Sequence, residues 1–256
     1  MCMRATDIAY IQNRPVENDV TTNGVVLGAG VLPITFDQNG ELCFLLGREH
    51  YVAGWQGSET WSAFEGGTKT TDRDVFHTAA REYIEESLAV LCGNMCTHET
   101  IEGVAQALRE HDYLFRVTTQ LAAPKRSSNK SRYHVTFVVC FPYHDGLVQE
   151  FTDHRTKLLN VNGGGVDSVQ VNAAHAALLP VAVTPEVRKV CPDYLEKVMI
   201  KLWRLSELQP HLQLNAHKGR VDNFRPCFVR MARLVLQVIQ ERLRNPPEGA
   251  FGEAGV

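Results

Sequence analysis

The chain has 256 residues, of which 44% are hydrophobic, enough to bury the core of one large domain or of one medium domain with helical additions. Its 26 lysines and arginines stand against 29 acidic residues, and the formal net charge of -3 excludes a general electrostatic attraction to nucleic acid or anionic membranes. No apolar run is as long as a bilayer span, and the seven cysteines are scattered along the chain. We therefore expect a cytoplasmic protein with reduced thiols and no membrane attachment.

A hairpin is the first element that the sequence predicts. Residues 1–23 show no clear periodicity and are assigned to an N-terminal extension. Two β-rich segments follow, VVLGAGVLPITF and ELCFLLGRE, separated by Asn39 and Gly40. An Asn-Gly pair between two such segments is typical of a tight β-turn, so we expect a hairpin over residues 24–49.

A strand, a glycine loop and a helix are predicted next. The short apolar segment WSAF leads into Gly66 and Gly67. Thr71 and Asp74, three residues apart, resemble a capping box at the start of a helix, where acidic side chains also suit the helix dipole. Four apolar residues then follow helical spacing and are expected to face the core: Phe76, Ala80, Tyr83 and Ile84.

Two further β-rich runs, DYLFRVTTQ and RYHVTFVVCFPY, favour a mixed sheet packed against helices. The segment between the two runs, together with the start of the second run, is basic. We interpret it as a solvated loop rather than an RNA contact, because the chain as a whole is slightly acidic. The basic residues are Lys125, Arg126, Lys130 and Arg132.

Two helices are predicted in the C-terminal part. Asp193 and Glu196 form a second capping box, and the apolar residues after them recur at helical spacing, which predicts a helix over 194–208. The last helix begins near Pro226 and extends to residue 244, because it carries apolar residues on one side and is followed by Asn-Pro-Pro. Both are expected to be packing elements rather than partner-binding surfaces.

The segment REYIEES places three carboxylates on one side of the helix that follows the glycines. Glu82 lies three residues before Glu85 and four before Glu86. Like charges at these spacings repel by about 0.2 to 0.5 kcal/mol per pair, a penalty that a bound cation would reverse. Mg²⁺ commonly takes oxygen ligands from carboxylates and substrate phosphates. The cluster therefore indicates a divalent-metal site, while a solvated glutamate-rich helix face is the structural alternative.

At these residues the sequence resembles the Nudix hydrolase family, whose box reads G-x5-E-x7-R-E-U-x-E-E-x-G-U, where U is a bulky apolar residue. Two positions depart from the box: Arg73 stands in place of its first glutamate, and Leu88 replaces the glycine near the helix end. The upstream segments AGVLPI, LLGRE and WSAFEGG look like the strands that precede it. The matching positions are Gly67, Arg81, Glu82, Tyr83, Glu85, Glu86 and Ala89.

The resemblance implies an α/β fold, a Nudix-type α/β/α sandwich with a mixed sheet and a C-terminal helical extension. The hydrolase domain is expected over 24–183. The C-terminal helices, within 184–245, would pack on that domain, and residues 246–256 would form a loose tail. The resemblance leaves the oligomeric state open, with a dimer as one possibility.

The resemblance also implies a chemistry. Glu82 and Glu86 would bind Mg²⁺ or Mn²⁺ directly, Glu85 would bind directly or through water, and the Gly66 carbonyl would be a further oxygen ligand. Arg81 would support catalysis by pairing with Glu85 at i,i+4. The metals would neutralise a diphosphate bridge and activate a water for attack on phosphorus. The expected substrate is a small nucleotide-type molecule, a nucleoside diphosphate linked to another moiety.

The two departures from the box carry expectations of their own. Asp72 or Asp74 is expected to take the role of the missing family glutamate through a small shift beside Arg73. Leu88 is a poor residue for the left-handed conformation in which such helices end, so we expect the helix to continue another turn to Leu91.

Other features of the reaction stay open in the sequence. Glu150 and Asp153 are candidate general bases in a later loop, although exposed loop acids are the commoner case. Glu65, just before the glycine pair, either reaches the metals or lies at the surface. Tyr51 and Trp55 are candidates for stacking on a base, as aromatic side chains often do. An RNA cap and inositol pyrophosphates are alternative substrates, and a catalytically inactive Nudix module that binds a nucleotide or a protein partner is the alternative function.

Overall fold

The computed structural model describes residues 24–55, 57–93, 96–121, 131–160, 196–213 and 223–244. Within them, seven strands form one sheet, flanked by five α-helices. The strands are β1 Gly24–Phe36, β2 Leu42–Glu49, β3 Trp61–Ser62, β4 Phe64–Gly67, β5 Phe115–Leu121, β6 Ser131–Cys140 and β7 Lys197–Arg204. The helices are α1 Val75–Ser87, α2 His98–Arg109, α3 Leu147–Asn160, α4 Leu205–Gln213 and α5 Pro226–Arg244, and a short 3-10 helix spans Val90–Cys92.

The sheet is mixed because β1 has partners of both directions. It pairs in parallel with β6, and antiparallel first with β4 and then with β2. The strand β2 also pairs antiparallel with β3 and β7, and β5 closes the other edge beside β6. The predicted hairpin is confirmed. Gly40 has a φ of 74°, which suits a residue without Cβ, and Asp37 accepts hydrogen bonds from the backbone N–H groups of Asn39 and Glu41.

Two hydrophobic cores lie on the two faces of the sheet. One is formed with α1, α2 and α3, where Ala80, Ile84 and Phe151 are fully buried. The other is formed with α4 and α5, where Phe228 and Val235 are fully buried. The predicted α/β/α sandwich is thus confirmed. Its second helical layer is made by the C-terminal helices α4 and α5, which pack on the sheet.

The predicted helix over 194–208 is wrong for most of its length. Lys197–Arg204 is the strand β7, which pairs with Cys43–Glu49 of β2, and helix α4 begins only at Leu205. The apolar spacing in KVMIKLWR fits a helix. However, Val198, Ile200 and Trp203 are β-branched or aromatic, and pairing along β2 outweighs the local pattern. The predicted last helix is confirmed over Pro226–Arg244.

The box helix ends earlier than expected. Helix α1 stops at Ser87, and Leu88 adopts the left-handed conformation with φ 55° and ψ 30°, so the predicted continuation to Leu91 is wrong. The backbone N–H of Leu88 donates to the carbonyl of Ile84. The Leu88 side chain is fully buried in the first core, and this burial offsets the cost of left-handed backbone, about 1 to 2 kcal/mol.

Several predictions fall outside the described residues: the N-terminal extension, the boundary at 183/184, the loose tail, and Lys125, Arg126 and Lys130. Among the helices of the described part, none is long and apolar enough to cross a membrane. The expectation of reduced thiols holds for Cys43, Cys92, Cys140 and Cys227, which are free. It is wrong for Cys96, which is disulfide-bonded.

Candidate metal and catalytic site

The strand β4 and the helix α1 bring the box residues together. Asp74 caps the helix by accepting a hydrogen bond from the backbone N–H of His77 at 2.7 Å, so the helix begins after Asp74 and not after Thr71. Gly66 and Gly67 belong to β4, rather than to the predicted loop. A Cβ at Gly66 would lie 2.3 Å from the carboxyl carbon of Glu82. Only glycine therefore lets this carboxylate lie against the strand.

The Arg81 guanidinium organises the carboxylates of the box. This side chain is 2% exposed, and its Nη1 donates to Glu82 Oε1 at 2.7 Å and to Glu85 Oε2 at 2.8 Å. The expected i,i+4 pair between Arg81 and Glu85 is therefore present. Nη2 also donates to the Gly67 carbonyl at 2.9 Å, which ties the helix to β4. The same nitrogen atom of Arg81 therefore holds both glutamates in place.

Asp72, one of the two acids expected to take the role of the missing family glutamate, contacts Arg81. Its two carboxylate oxygens accept from Nε and Nη2 of Arg81, each at 2.9 Å. Burial opposes the charged form of Asp72, but hydrogen bonds from Arg81 and the Lys69 backbone N–H outweigh it and hold the pKa of Asp72 far below its usual range. Arg73, in contrast, is exposed and pairs with Glu102 on α2. Of the two acids that the sequence suggested, Asp72 and not Asp74 contacts Arg81.

Glu86 is tied to elements from distant parts of the sequence. Its Oε2 accepts from the backbone N–H of Glu65 at 2.7 Å, and its Oε1 lies 2.9 Å from Lys197 Nζ. Lys197 is fully buried, and its Nζ also contacts Glu49 and donates to Ser62 Oγ at 2.8 Å. Burial disfavours the charged lysine, but Glu86 and Glu49 outweigh burial and raise the pKa of Lys197 above its ordinary value.

Arg225 adds a second cation to this group. Its Nη1 lies 3.1 Å from Glu49 Oε1. Two carboxylates, Glu49 and Glu86, thus face two cationic side chains, Lys197 and Arg225. Glu49, Lys197 and Arg225 are not among the residues predicted from the sequence. Glu49 is the last residue of β2, and this end-of-strand position is the signal by which it could have been found.

A cleft of about 530 Å³ opens beside these residues. Three acidic residues line it: Glu65 of β4, Glu82 of α1, and Glu196 just before β7. Lys69, Arg225 and Trp55 line it as well, and the Arg225 guanidinium lies 5.3 Å from the Trp55 ring centroid. Glu65 is therefore not a surface residue, since it is buried and faces the cleft. Tyr51, more exposed than Trp55, is not among the residues that line the cleft.

The predicted metal ligands are only partly brought together. Ligand atoms of Glu49, Glu86 and Glu196 lie within 4.8 Å of one another, and Glu86 is the one predicted ligand in this group. Glu82 and Glu85 instead converge on Arg81, with Glu82 against Gly66. The box residues Glu82, Glu85 and Glu86 are buried and offer carboxylate oxygens, the ligands that hard cations prefer, so a divalent ion fits their chemistry.

The predicted candidate bases Glu150 and Asp153 lie elsewhere. Both are exposed residues of helix α3, so the expectation of a loop there is wrong. Glu150 lies 3.5 Å from His144, and Asp153 accepts a hydrogen bond from Gln149. Neither is among the residues that line the cleft. These contacts give both acids ordinary surface roles.

The order of elements agrees with the sequence motif. Strand β4, which ends in Gly66 and Gly67, belongs to the mixed sheet and precedes the helix α1 that carries Arg81 and the three glutamates. A mixed sheet with helices on both faces is the fold that the resemblance to the Nudix family implies. The segment that resembles the Nudix box runs from Gly67 at the end of β4 through α1, and Asp72, one residue before the position of the first box glutamate, contacts Arg81. No family model matches the sequence, and a comparison with curated proteins finds no match.

Solved structures that resemble this chain include the Nudix domain of NrtR from Shewanella oneidensis in complex with ADP-ribose, at 10% identity, covering 92% of this chain and 97% of that one, with a TM-score of 0.38. A bifunctional NMN adenylyltransferase/ADP-ribose pyrophosphatase from Francisella tularensis, in complex with AMP and manganese, is 13% identical over 84% of this chain and 42% of that one, with a TM-score of 0.39. An Ap4A hydrolase from C. elegans is 17% identical over 47% of this chain and 69% of that one, with a TM-score of 0.28.

Proposed function

We propose that this protein is a divalent-metal-dependent hydrolase that cleaves the diphosphate bridge of a nucleoside diphosphate linked to another moiety. The observation that carries the proposal is the buried set of carboxylates on α1, fixed by Arg81 and reaching the cleft through Glu82. A helix stabilised only by its packing would not bury three like charges on one side. Perturbed, buried acids beside a cleft are typical of functional sites.

The residues that would hold the ion are Glu82, Glu85 and Glu86, with the Gly66 carbonyl. A bound Mg²⁺ or Mn²⁺ supplies charge neutralisation at the diphosphate and lowers the pKa of water. Arg81 keeps Glu82 and Glu85 in place, so the carboxylates need no reorganisation when a cation arrives. The Glu65 N–H orients Glu86 in the same way from the strand.

The remaining cleft residues suit the two ends of such a substrate. Lys69 and Arg225 are cationic side chains on the cleft wall and would contact phosphate oxygens. Trp55 offers a partly exposed ring on which a base would stack. The binding of ADP-ribose by the NrtR Nudix domain and of AMP by the Francisella enzyme supports a nucleotide-type ligand as the first choice to test.

A hydrolysis screen in Mg²⁺ or Mn²⁺ tests the proposal, with nucleotide sugars, dinucleoside polyphosphates, capped RNA and inositol pyrophosphates as substrates. We expect turnover of at least one nucleoside diphosphate derivative, abolished by EDTA. Glu82→Gln and Glu86→Gln should each lower kcat by about 100-fold or more, because each removes a charged metal ligand. Asp153→Asn, an exposed acid remote from the cleft, is the matched control and should keep full activity.

Two results would contradict the proposal. Equal activity of wild type and Glu86→Gln on every substrate that is turned over would show that the site is misplaced. Binding of nucleotides without any turnover would favour the inactive Nudix module instead. Turnover of capped RNA alone would assign a decapping activity to the same site.

A further inference from the structure

A second group of carboxylates lies beside the box glutamates. Ligand atoms of Glu49, Glu86 and Glu196 lie within 4.8 Å of one another, a spacing that suits a shared cation. Glu49 is buried, and its Oε2 has no hydrogen-bond partner among the residues that the structure describes. Glu86 belongs both to this group and to the box. In a two-metal hydrolase, such a shared carboxylate lies between two ions that are about 3.5 to 4 Å apart.

This group already contains a cation that belongs to the chain. Lys197 Nζ lies 2.9 Å from Glu86 Oε1 and also contacts Glu49. The backbone directs it there, because the register of β2 and β7 shifts between Arg48 and Glu49 and leaves Glu49 opposite Lys197. A bulge of this kind re-aims a side chain. The lysine therefore reaches the carboxylates from the neighbouring strand.

The lysine stem is also accommodated by the fold. A Cβ at Gly47 would lie 2.7 Å from Lys197 Cγ, so the absence of a side chain at Gly47 makes room for the lysine. Arg155 Nε donates to the Lys197 carbonyl at 3.2 Å and fixes the start of β7. Removing a fully buried ammonium that has two carboxylate partners is costly, because the carboxylates are left as uncompensated buried charges. Lys197 is thus a fixed part of the site.

We propose that Lys197 takes the place of a second divalent ion, so that this protein binds a metal on the Glu82 side of Glu86 and carries its own cation on the Glu49 side. The proposal rests on the metal site of the proposed function. It assigns Lys197 as a positioning residue that neutralises Glu49 and Glu86 and fixes the Glu86 carboxylate. A free carboxylate group at this position would otherwise attract a divalent ion, as paired carboxylates do.

Counting Mn²⁺ ions without any nucleotide tests this. Calorimetry and electron paramagnetic resonance should give about one tightly bound Mn²⁺ per wild-type chain, with no exchange coupling between ions. Lys197→Ala, which removes the cation and leaves space, should bind about one further ion, coupled to the first because they share Glu86. Adding Glu49→Gln to Lys197→Ala should remove the extra ion. Lys201→Ala, the loss of a half-buried lysine of the same strand that pairs with Glu207, is the matched control and should bind as wild type does.

Two results overturn the proposal: a coupled pair of ions in wild type, or an unchanged count in folded Lys197→Ala. If Lys197→Ala folds only when Mn²⁺ is added, the proposal is supported, because the ion then replaces the lysine. If the variant stays unfolded at every Mn²⁺ concentration, the wild-type spectrum decides: one uncoupled ion supports the proposal, and a coupled pair overturns it. A wild type that binds no Mn²⁺ contradicts the proposed function itself. If wild type binds one Mn²⁺ but Lys197→Ala binds no further ion, only the role of Lys197 is contradicted.

Discussion

Asp72 contacts Arg81 although it lies one residue before the acidic position of the box. The box has Arg73 where its first glutamate belongs, yet Asp72 one residue earlier makes the bidentate contact with Arg81. The short carboxylate reaches because the turn before α1 folds back, with Lys69 N–H and Thr78 Oγ1 also donating to Asp72. Four donor groups thus fix the Asp72 carboxylate beside Arg81.

Asp72→Asn should destabilise the protein by about 2 to 4 kcal/mol, because it leaves the buried Arg81 guanidinium with a weaker, uncharged partner. Urea denaturation at pH 7 measures the change. Arg73→Ala is the control: Arg73 is exposed, and its loss should change the free energy of unfolding by less than about 0.5 kcal/mol. A larger effect at Arg73 than at Asp72 would contradict the assignment.

The same carboxylate makes stability depend on pH. The folded pKa of Asp72 lies below its unfolded value of about 3.9, so its stabilising contribution is full above that value and is lost as the pH falls through the folded pKa. The difference in free energy of unfolding between wild type and Asp72→Asn should therefore shrink as the pH falls from about 5 to 2. Parallel denaturation curves of both proteins at several pH values measure the gap. A gap that stays constant would show that Asp72 is not charged in the folded protein.

At the residue scale, the box helix could be predicted because its information is local. Glu82, Glu85 and Arg81 lie within one turn of each other, so spacing alone brings them together. The partners of Glu86 could not be predicted in this way. Lys197 is far away in sequence, and a lysine in a strand is expected at the surface, since buried lysines are rare.

Among the elements, the end of α1 shows that burial can override backbone preference. Leu88 is left-handed although glycine would suit that conformation better. Leu88→Gly should relieve about 1 to 2 kcal/mol of backbone strain but lose more from the emptied core, for a net destabilisation of about 1 to 3 kcal/mol. Thermal denaturation measures it. A more stable Leu88→Gly protein would mean that the leucine serves something other than packing.

The element that sequence patterns misassigned is β7, and the reason is tertiary. Helical and strand spacings overlap in a short apolar run such as KVMIKLWR, and the partner strand decides between them. That partner, β2, is distant in sequence, so local patterns carry no trace of it. Hairpin β1–β2 and helix α5 were predictable because their turn and their periodicity lie within the segments themselves.

On the scale of the whole molecule, the C-terminal helix is as much a part of the core as the box helix. Phe228 on α5 is fully buried against the sheet, whereas Leu234 on the same helix is 39% exposed. Phe228→Ala should cost about 3 to 5 kcal/mol and Leu234→Ala less than about 0.5 kcal/mol, as measured by urea denaturation. Equal, small effects would show that α5 is a dispensable addition.

The Glu49–Lys197 contact also sets an order of assembly during synthesis. The two residues are separated by 148 positions, and Glu49 and Arg225 by 176. A ribosome delivers the acidic partners long before either cation, and domains generally fold as units once their chain has emerged. The nascent chain thus carries Glu49 and Glu86 without their counter-charges until the segment with Lys197 and Arg225 is made. The cleft is therefore a late product of translation, closed by β7 and α5 when the rest of the sheet already exists as polypeptide.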